Sequence, residues 1–393
     1  MVEHGVVTIL AVAAVAFTAP LFADLTLCLL GNLLPVRGAR TAGKKAIRLA
    51  VVVPAHNEEQ MIARTVASVR AADASIFIFV VAHNCEDDTA NAAAKAGAQV
   101  VELNDPQQRG KGAALRSGFQ AAIDAGANAL LVIDADTVVS ANLFAATCEA
   151  LESGARATQC RYEMEPPNTE SVSRIARLRA LAVRGFNVLR PRGRAGLGFS
   201  TGVFGNGFAL TVETLRRVPF SVDSIAEDIE YHLRLVCAGV RVHWIEEAFV
   251  HANLSPAGSV QAKQQARWEG GRIGVARRST GQLLVANLRG NWRAAEALAD
   301  VWSIPLARGI VILLLAALLP APWVRAYAIG CAAVTLAYVL GSALLGAEPM
   351  RDLAALAVAP IYLARKAAIT PLVLLNSRRR AEWARTEREA PKP

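Results

Sequence analysis

The 393-residue chain is 53% hydrophobic, carries a formal net charge of +9 and contains six cysteines. That length allows one sizeable catalytic core with smaller attached regions, and so apolar a composition argues for membrane association rather than one wholly soluble domain. The cysteines lie scattered, without metal-ligand or disulfide-framework spacing, and the basic excess gathers beside apolar stretches where anionic lipid is a sufficient partner. Neither a zinc module nor nucleic-acid binding is expected.

From Gly5 the sequence is uncharged through Ala23 and continues past Asp24 toward Leu34. About 20 helical residues cross a hydrocarbon layer, so residues 1–36 read as an N-terminal membrane anchor. A cleaved leader fits less well, because Met1-Val2-Glu3-His4 lacks a basic start and the apolar run is long. Arg37, Arg40, Lys44, Lys45 and Arg48 follow at once, which predicts a cytosolic catalytic segment and an external N terminus.

Val51, Val52 and Val53 then precede Pro54-Ala55-His56-Asn57-Glu58-Glu59, and helix-compatible spacing runs to Val69. An apolar run over 76–81 leads to His83-Asn84-Cys85-Glu86-Asp87-Asp88 and an alanine-rich segment. A third alternation reaches Val100, Val101 and Leu103, and a glycine-bearing segment over 111–120 precedes the run 129–137. Repeated strand, loop and helix predict an α/β fold whose loops converge on one sheet edge.

Asp134 and Asp136 emerge from the end of that last apolar run. Two carboxylates one residue apart suit a divalent cation that also holds phosphate oxygens, although the same pair also serves simply to cap a strand or open a loop. Arg109-Gly110-Lys111-Gly112 offers cations and backbone amides to phosphate, or forms a basic surface turn; it lacks the spacing of a P-loop. Residues 196–208 are rich in glycine and aromatics, and Gly205, Asn206 and Gly207 would let a sugar approach the backbone or form an irregular structural loop. Glu227-Asp228 opens a helix, where carboxylates cap favourably and where one could deprotonate an attacking hydroxyl. In Gln264-Gln265-Ala266-Arg267-Trp268, Arg267 suits diphosphate, Gln264 gives directional hydrogen bonds and Trp268 provides an aromatic floor or interfacial anchor.

Beyond a connection over 281–300, expected at the membrane interface, residues 301–324 are apolar except for Arg308, and 326–347 contain no charge. With the break at Pro320-Ala321-Pro322-Trp323 they predict a transmembrane hairpin over 301–347. Arg365 and Lys366 interrupt the segment 353–377, which reads as interfacial, re-entrant or transmembrane. Residues 378–393 form a basic and polar cytosolic tail.

Taken in order, these motifs resemble those of the family 2 glycosyltransferases, especially membrane-bound members related to cellulose, chitin, hyaluronan and poly-N-acetylglucosamine synthases. Val53-Pro54-Ala55-His56-Asn57-Glu58-Glu59 is similar to the first nucleotide-binding loop of that family, and Trp383-Ala384-Arg385-Thr386 to a terminal motif of its membrane members. The resemblance covers residues 49–280 and implies a GT-A-like nucleotide-sugar-binding domain between N-terminal and C-terminal transmembrane helices. It implies inverting transfer from a nucleoside-diphosphate sugar, with a UDP-sugar expected, to a lipid or lipid-linked saccharide. A processive polysaccharide synthase is the alternative, and a noncatalytic membrane carbohydrate-binding scaffold a third reading.

The resemblance also distributes roles. Asp136 would hold Mg²⁺ or Mn²⁺, with Asp134 a second candidate ligand, and Asp228 would be the catalytic base. Pro54, Ala55, Asn57, Glu58, His83, Asp87, Arg109, Lys111, Asp134, Gln264, Arg267 and Trp268 would line the donor. Gly205, Asn206, Gly207 and Glu227 would lie on the acceptor side. His83 departs from the family pattern by standing where an Asp usually reads the base; it could bind the base, turn toward phosphate or make a structural hydrogen bond. The expected setting is the plasma membrane, with lipids as partners, the catalytic domain in the cytoplasm and the oligomeric state open.

Overall fold

The structure is a computed structural model describing residues 2–39, 46–108, 110–166, 172–222, 224, 226–254 and 259–376. Arg109, the side chain of Gln264 and the 378–393 tail with its Trp383-Ala384-Arg385-Thr386 motif lie outside the described residues.

Eight strands form one sheet: β1 (Leu49–Ala55), β2 (Phe77–His83), β3 (Gln99–Leu103), β4 (Ala129–Val132), β5 (Val138–Val139), β6 (Ala157–Glu165), β7 (Phe208–Thr211) and β8 (Val242–Asn253). Their order is β3-β2-β1-β4-β7-β6-β8-β5. β1 to β4 are mutually parallel. Every residue of β1 is buried, which is why it reads as an unbroken apolar run rather than an alternating one. Val51 and Val53 pack toward Ile62, Val66 and Leu131, whereas Ala50 and Val52 pack toward Phe119, Leu130 and Phe208. Helices therefore cover both faces. The Lys111–Asp124 helix comes so close that a Cβ on Gly118 would lie 2.5 Å from Val52 Cγ1.

β7 runs antiparallel to both β4 and β6. The C-terminal ends of β1, β2, β4 and β6 and the loop entering β7 thus share one edge. β6 and β8 are parallel, with a register shift between Cys160 and Arg161.

Among the described residues two helices, Gly5–Gly31 and Pro322–Leu344, are long and apolar enough to cross a membrane. The uniform helix expected over 301–324 is instead broken. Trp292–Trp302 and Leu306–Ala316 meet at a 69° bend, where Pro305 precludes a continuous ladder. The eleven residues of Leu306–Ala316 rise only about 16 Å, roughly half a hydrocarbon layer. Over 349–376 the chain forms only short helices, Pro349–Ala354, Ala355–Val358, Ala359–Ala368 and Thr370–Asn376.

Asp24, Arg308 and Lys366, charges within these apolar segments, have partners. Glu269 accepts from Lys366 Nζ at 2.8 Å and pairs with Arg308 Nη2 at 2.6 Å. Asp24, in the first membrane helix, pairs with Arg190 at 2.7 Å and Arg194 at 3.1 Å, and Arg190 also meets Asp300 at 2.7 Å. Gly196, expected in a loop open to sugar or in an irregular structural loop, lies in the Arg190–Leu197 helix, where an added Cβ would sit 2.2 Å from the Gly31 carbonyl oxygen. These contacts fix the membrane helix to the catalytic domain. Removing one member of a buried ion network strands the others, so Asp24→Ala should lower stability by about 3–5 kcal/mol. Thermal unfolding of the detergent-solubilised protein would show it; an unchanged midpoint would contradict the anchoring role.

Candidate active site

The site begins where β4 ends. Beyond Val132, Ile133 still donates to Val52 O at 3.1 Å, and the chain then turns, with Thr137 N donating to Asp134 O at 3.2 Å. Asn206 clamps this turn: its Oδ1 accepts from Asp134 N at 3.1 Å and its Nδ2 donates to Thr137 Oγ1 at 2.9 Å. From the other side Thr65 Oγ1 donates to Ala135 O at 2.8 Å. Asn206 is fully buried, and its own carbonyl accepts from Gln159 Nε2 at 2.8 Å. Gly207 has φ +71°, and a Cβ there would lie 2.5 Å from Cys160 Sγ. This pair therefore shapes the turn that presents Asp134 and Asp136.

Lys111 reaches the same point from the first turn of its helix. Its Nζ donates to Asp134 Oδ1 at 2.5 Å and to Gly205 O at 2.7 Å. A Cβ on Gly205, whose φ is +74°, would lie 3.3 Å from Lys111 Nζ and 3.7 Å from Asp228 Oδ2. Lys111, Asp134, Gly205 and Asp228 thus crowd one small volume. Asp228 stands in the first turn of the Glu227–Cys237 helix, and its Oδ1 accepts from Ile229 N at 2.8 Å.

Electrostatics follow from this crowding. Burial first, and the Asp228 charge second, push Glu227 up to about 7 against the pull of Lys111. Burial also raises Asp228, opposed by the Ile229 N–H and Lys111. For Lys111, burial favours the neutral amine, but Asp134, Glu227 and Asp228 outweigh it and hold the ammonium above its ordinary range. Tyr162, which sequence reasoning missed, joins the group by hydrogen bonding to Asn206, and burial pushes its hydroxyl up. Its position at the C-terminal part of β6 becomes informative only once the strand order is known.

A second cluster lies along the same edge, after β1 and β2. Pro54 and Ala55 are buried strand-end residues. Asn57, at φ +56°, accepts from Glu86 N at 2.8 Å. Glu58 N donates to Thr89 Oγ1 at 2.8 Å, and Glu59 N to Asp87 Oδ2 at 3.2 Å. Asp87 also accepts from Thr89 N at 3.1 Å. These bonds stitch the two loops into one wall. His83 is buried, and its Nε2 lies 2.7 Å from Gln108 O; because a carbonyl only accepts, Nε2 carries the proton. His83 thus makes a structural hydrogen bond. Burial lowers its pKa and keeps the ring neutral.

Arg267 approaches from the Ser259–Leu288 helix, close enough to Glu227 for that carboxylate to favour its charge. Its Nε is buried without a hydrogen-bond partner among the described residues, as expected of a guanidinium that awaits an anion. Trp268 is half exposed beside it. Among the described residues no three His, Cys, Asp or Glu side chains are arranged to hold a metal by themselves. Hard carboxylate oxygens at Asp134 and Asp136 nonetheless suit Mg²⁺ or Mn²⁺, which commonly complete their shells with water and substrate phosphate.

Comparison with known proteins agrees with this geometry. Residues 47–271 match the model of a family described as "Glycosyltransferase like family 2". A mannosyltransferase from Pyrobaculum calidifontis, solved in complex with GDP-Man and Mn²⁺, is similar over 94% of this chain and 97% of its own, with TM-score 0.53 and 17% identity. Glucosyl-3-phosphoglycerate synthase from Mycobacterium tuberculosis, in complex with Mn²⁺, UDP and phosphoglyceric acid, is similar over 62% of this chain and 86% of its own, with TM-score 0.41 and 18% identity. No curated protein matches the chain. The α/β, GT-A-like fold with two membrane-length helices is therefore the architecture present. The expected kinship with cellulose, chitin, hyaluronan and poly-N-acetylglucosamine synthases is corrected: the fold that matches along nearly the whole of both chains is that of a mannosyltransferase. Of the motifs that suggested the synthases, residues 54–59 and 134–136 end or follow strands at this sheet edge, whereas Glu227-Asp228 and Arg267-Trp268 stand on helices.

Proposed function

This chain belongs to the glycosyltransferase-like family 2, and from that premise we propose that it transfers a sugar from a UDP- or GDP-sugar to a lipid or lipid-linked saccharide at the cytosolic face of the plasma membrane. The observation that carries the reading is the convergence of Lys111, Asp134 and Asp228 at one strand edge. Two membrane-length helices beside that domain favour an acceptor held in the bilayer.

Asp228 is assigned as the base. The acceptor hydroxyl oxygen bonds to the anomeric carbon as the bond to the diphosphate oxygen breaks, and the hydroxyl proton passes to Asp228. One displacement inverts the anomeric configuration and needs no sugar-linked enzyme. Lys111 opposes the effect of burial on Glu227 and Asp228 while holding Asp134 in place. Asp136, with Asp134 as second ligand, would hold Mg²⁺ or Mn²⁺, an assignment supported by the Mn²⁺ of the mannosyltransferase of similar fold. When bound, that ion withdraws charge from the departing diphosphate. Arg267 orients the same diphosphate through its guanidinium fork.

A base must be deprotonated to act, and Glu227 and Asp228 titrate as a pair. Burial raises Asp228 above the ordinary aspartate range, so activity should fall toward acid pH as that carboxylate takes up its proton. Lys111 lowers both carboxylates, so Lys111→Met should move this acid limb of kcat/KM to higher pH. A limb that stays in place would contradict the electrostatic role.

Mass spectrometry of products from the reconstituted protein, given UDP- and GDP-sugars with a native lipid extract, tests the acceptor. One sugar added to an extractable lipid is expected. A product found only in the aqueous phase, or a ladder of added sugars, would overturn it.

A further inference from the structure

A second site stands on the opposite edge of the sheet, where β6 and β8 begin. Arg156 immediately precedes β6 and Arg241 immediately precedes β8. With Arg293, His243, Gly38 and Gly154 they line a cavity of about 280 Å³. Asp134 lies five residues beyond Ala129, the start of β4, which β7 separates from β6, so along the strands the two edges are separated by roughly 16 Å. This cavity does not belong to the reacting cluster.

Its charges lack counter-charges. Arg184, Arg190, Arg192, Arg194, Arg272 and Arg308 each meet a carboxylate. Arg37, Arg156, Arg241 and Arg293 form no ion pair among the described residues. Arg156 donates to the carbonyl of Gly239 at 3.2 Å, Arg241 to those of Phe199 at 2.9 Å and Ala195 at 3.3 Å, and Arg293 to that of Gly198 at 3.4 Å while lying 4.6 Å over the Trp292 ring. Such contacts fix the guanidinium groups but neutralise none of them, and each group has five N–H donors. Burial first, and then the Arg293 and Arg37 charges, hold Arg241 down to about 10.

The basic cavity shares a lining residue with a more apolar one. Gly239 belongs to both, and the second, of about 630 Å³, is lined by Cys237, Ala238, Val285 and Ala286 among others. Val285, which lines it, and Leu284, Leu288 and Trp292, close to it in sequence, are exposed. Arg37 follows the end of the first membrane helix, at Gly31, by six residues. A phosphate fits the arginine forks. The adjoining apolar cleft distinguishes an amphiphile from a free anion, and the nearby membrane helix supplies one.

We propose that the two cavities form a single site for one anionic membrane phospholipid, with its phosphate on Arg156, Arg241 and Arg293 and its apolar portion along Val285 and Ala286. The site is separate from the transfer reaction and does not rest on it. Native mass spectrometry of the full chain in detergent, offered phosphatidylglycerol, phosphatidylcholine or inorganic phosphate, provides the first test. Phosphatidylglycerol should be retained in preference to phosphatidylcholine, and Arg241→Gln with Arg293→Gln should weaken retention by roughly ten-fold or more. Hydrogen exchange on the unsubstituted protein provides the second and needs no variant: phosphatidylglycerol should protect residues 281–293, whereas inorganic phosphate should not. Equal retention of both lipids, retention unaffected by the substitutions in folded protein, or equal protection by inorganic phosphate would each overturn the proposal.

Discussion

Asp228→Asn is expected to lower kcat by about 10²–10⁴-fold, the range that a positioned general base contributes, while the protein keeps its fold. The substitution preserves shape but removes the group that takes the acceptor proton. Asp228 shares its volume with Gly205 and Lys111 and hydrogen-bonds the Ile229 N–H, so an isosteric amide fits with little displacement. Steady-state rates under saturating donor and acceptor, with circular dichroism as the fold control, would check this. A variant that retained wild-type kcat would remove Asp228 from the base role.

Asp136→Ala is expected to reduce transfer by at least about 10²-fold, since metal stabilisation of a departing diphosphate supplies several kcal/mol and each 1.4 kcal/mol is a tenfold change. The turn itself should survive. Asn206 bonds Asp134 N and Thr137 Oγ1, and Thr65 bonds the Ala135 carbonyl, so none of these bonds uses the Asp136 side chain. Titration of activity with Mn²⁺ would separate the outcomes. A large rise in the Mn²⁺ concentration needed, or loss of response to it, is expected; unchanged activity and Mn²⁺ response would place the metal elsewhere.

Much of this site was legible because its parts lie at the ends of buried parallel strands. Continuous apolar runs marked β1, β2 and β4, and the polar residues that follow each run necessarily reach the same edge. Lys111 and Asp228, which open helices rather than follow these strands, were joined to Asp134 by the family resemblance. Asn206 as a clamp and Tyr162 as its partner could not be read, because their placement depends on β7 and β6 following β4 in the sheet. No local periodicity records that order. Asp24, Arg308 and Lys366 looked like charges adrift in apolar sequence, because their partners Arg190, Arg194 and Glu269 lie on other helices. The break before Leu306 was signalled only by Pro305 within an otherwise uniform run, and hydropathy alone does not see it.

Release of nucleoside diphosphate by the membrane-reconstituted protein, given UDP- and GDP-sugars with native lipid and with either Mn²⁺ or a chelator, tests the proposed transfer most directly. We predict lipid-dependent release from at least one donor with Mn²⁺ and its suppression by the chelator. No release from any of these donors by folded protein in native lipid would contradict sugar transfer at this site.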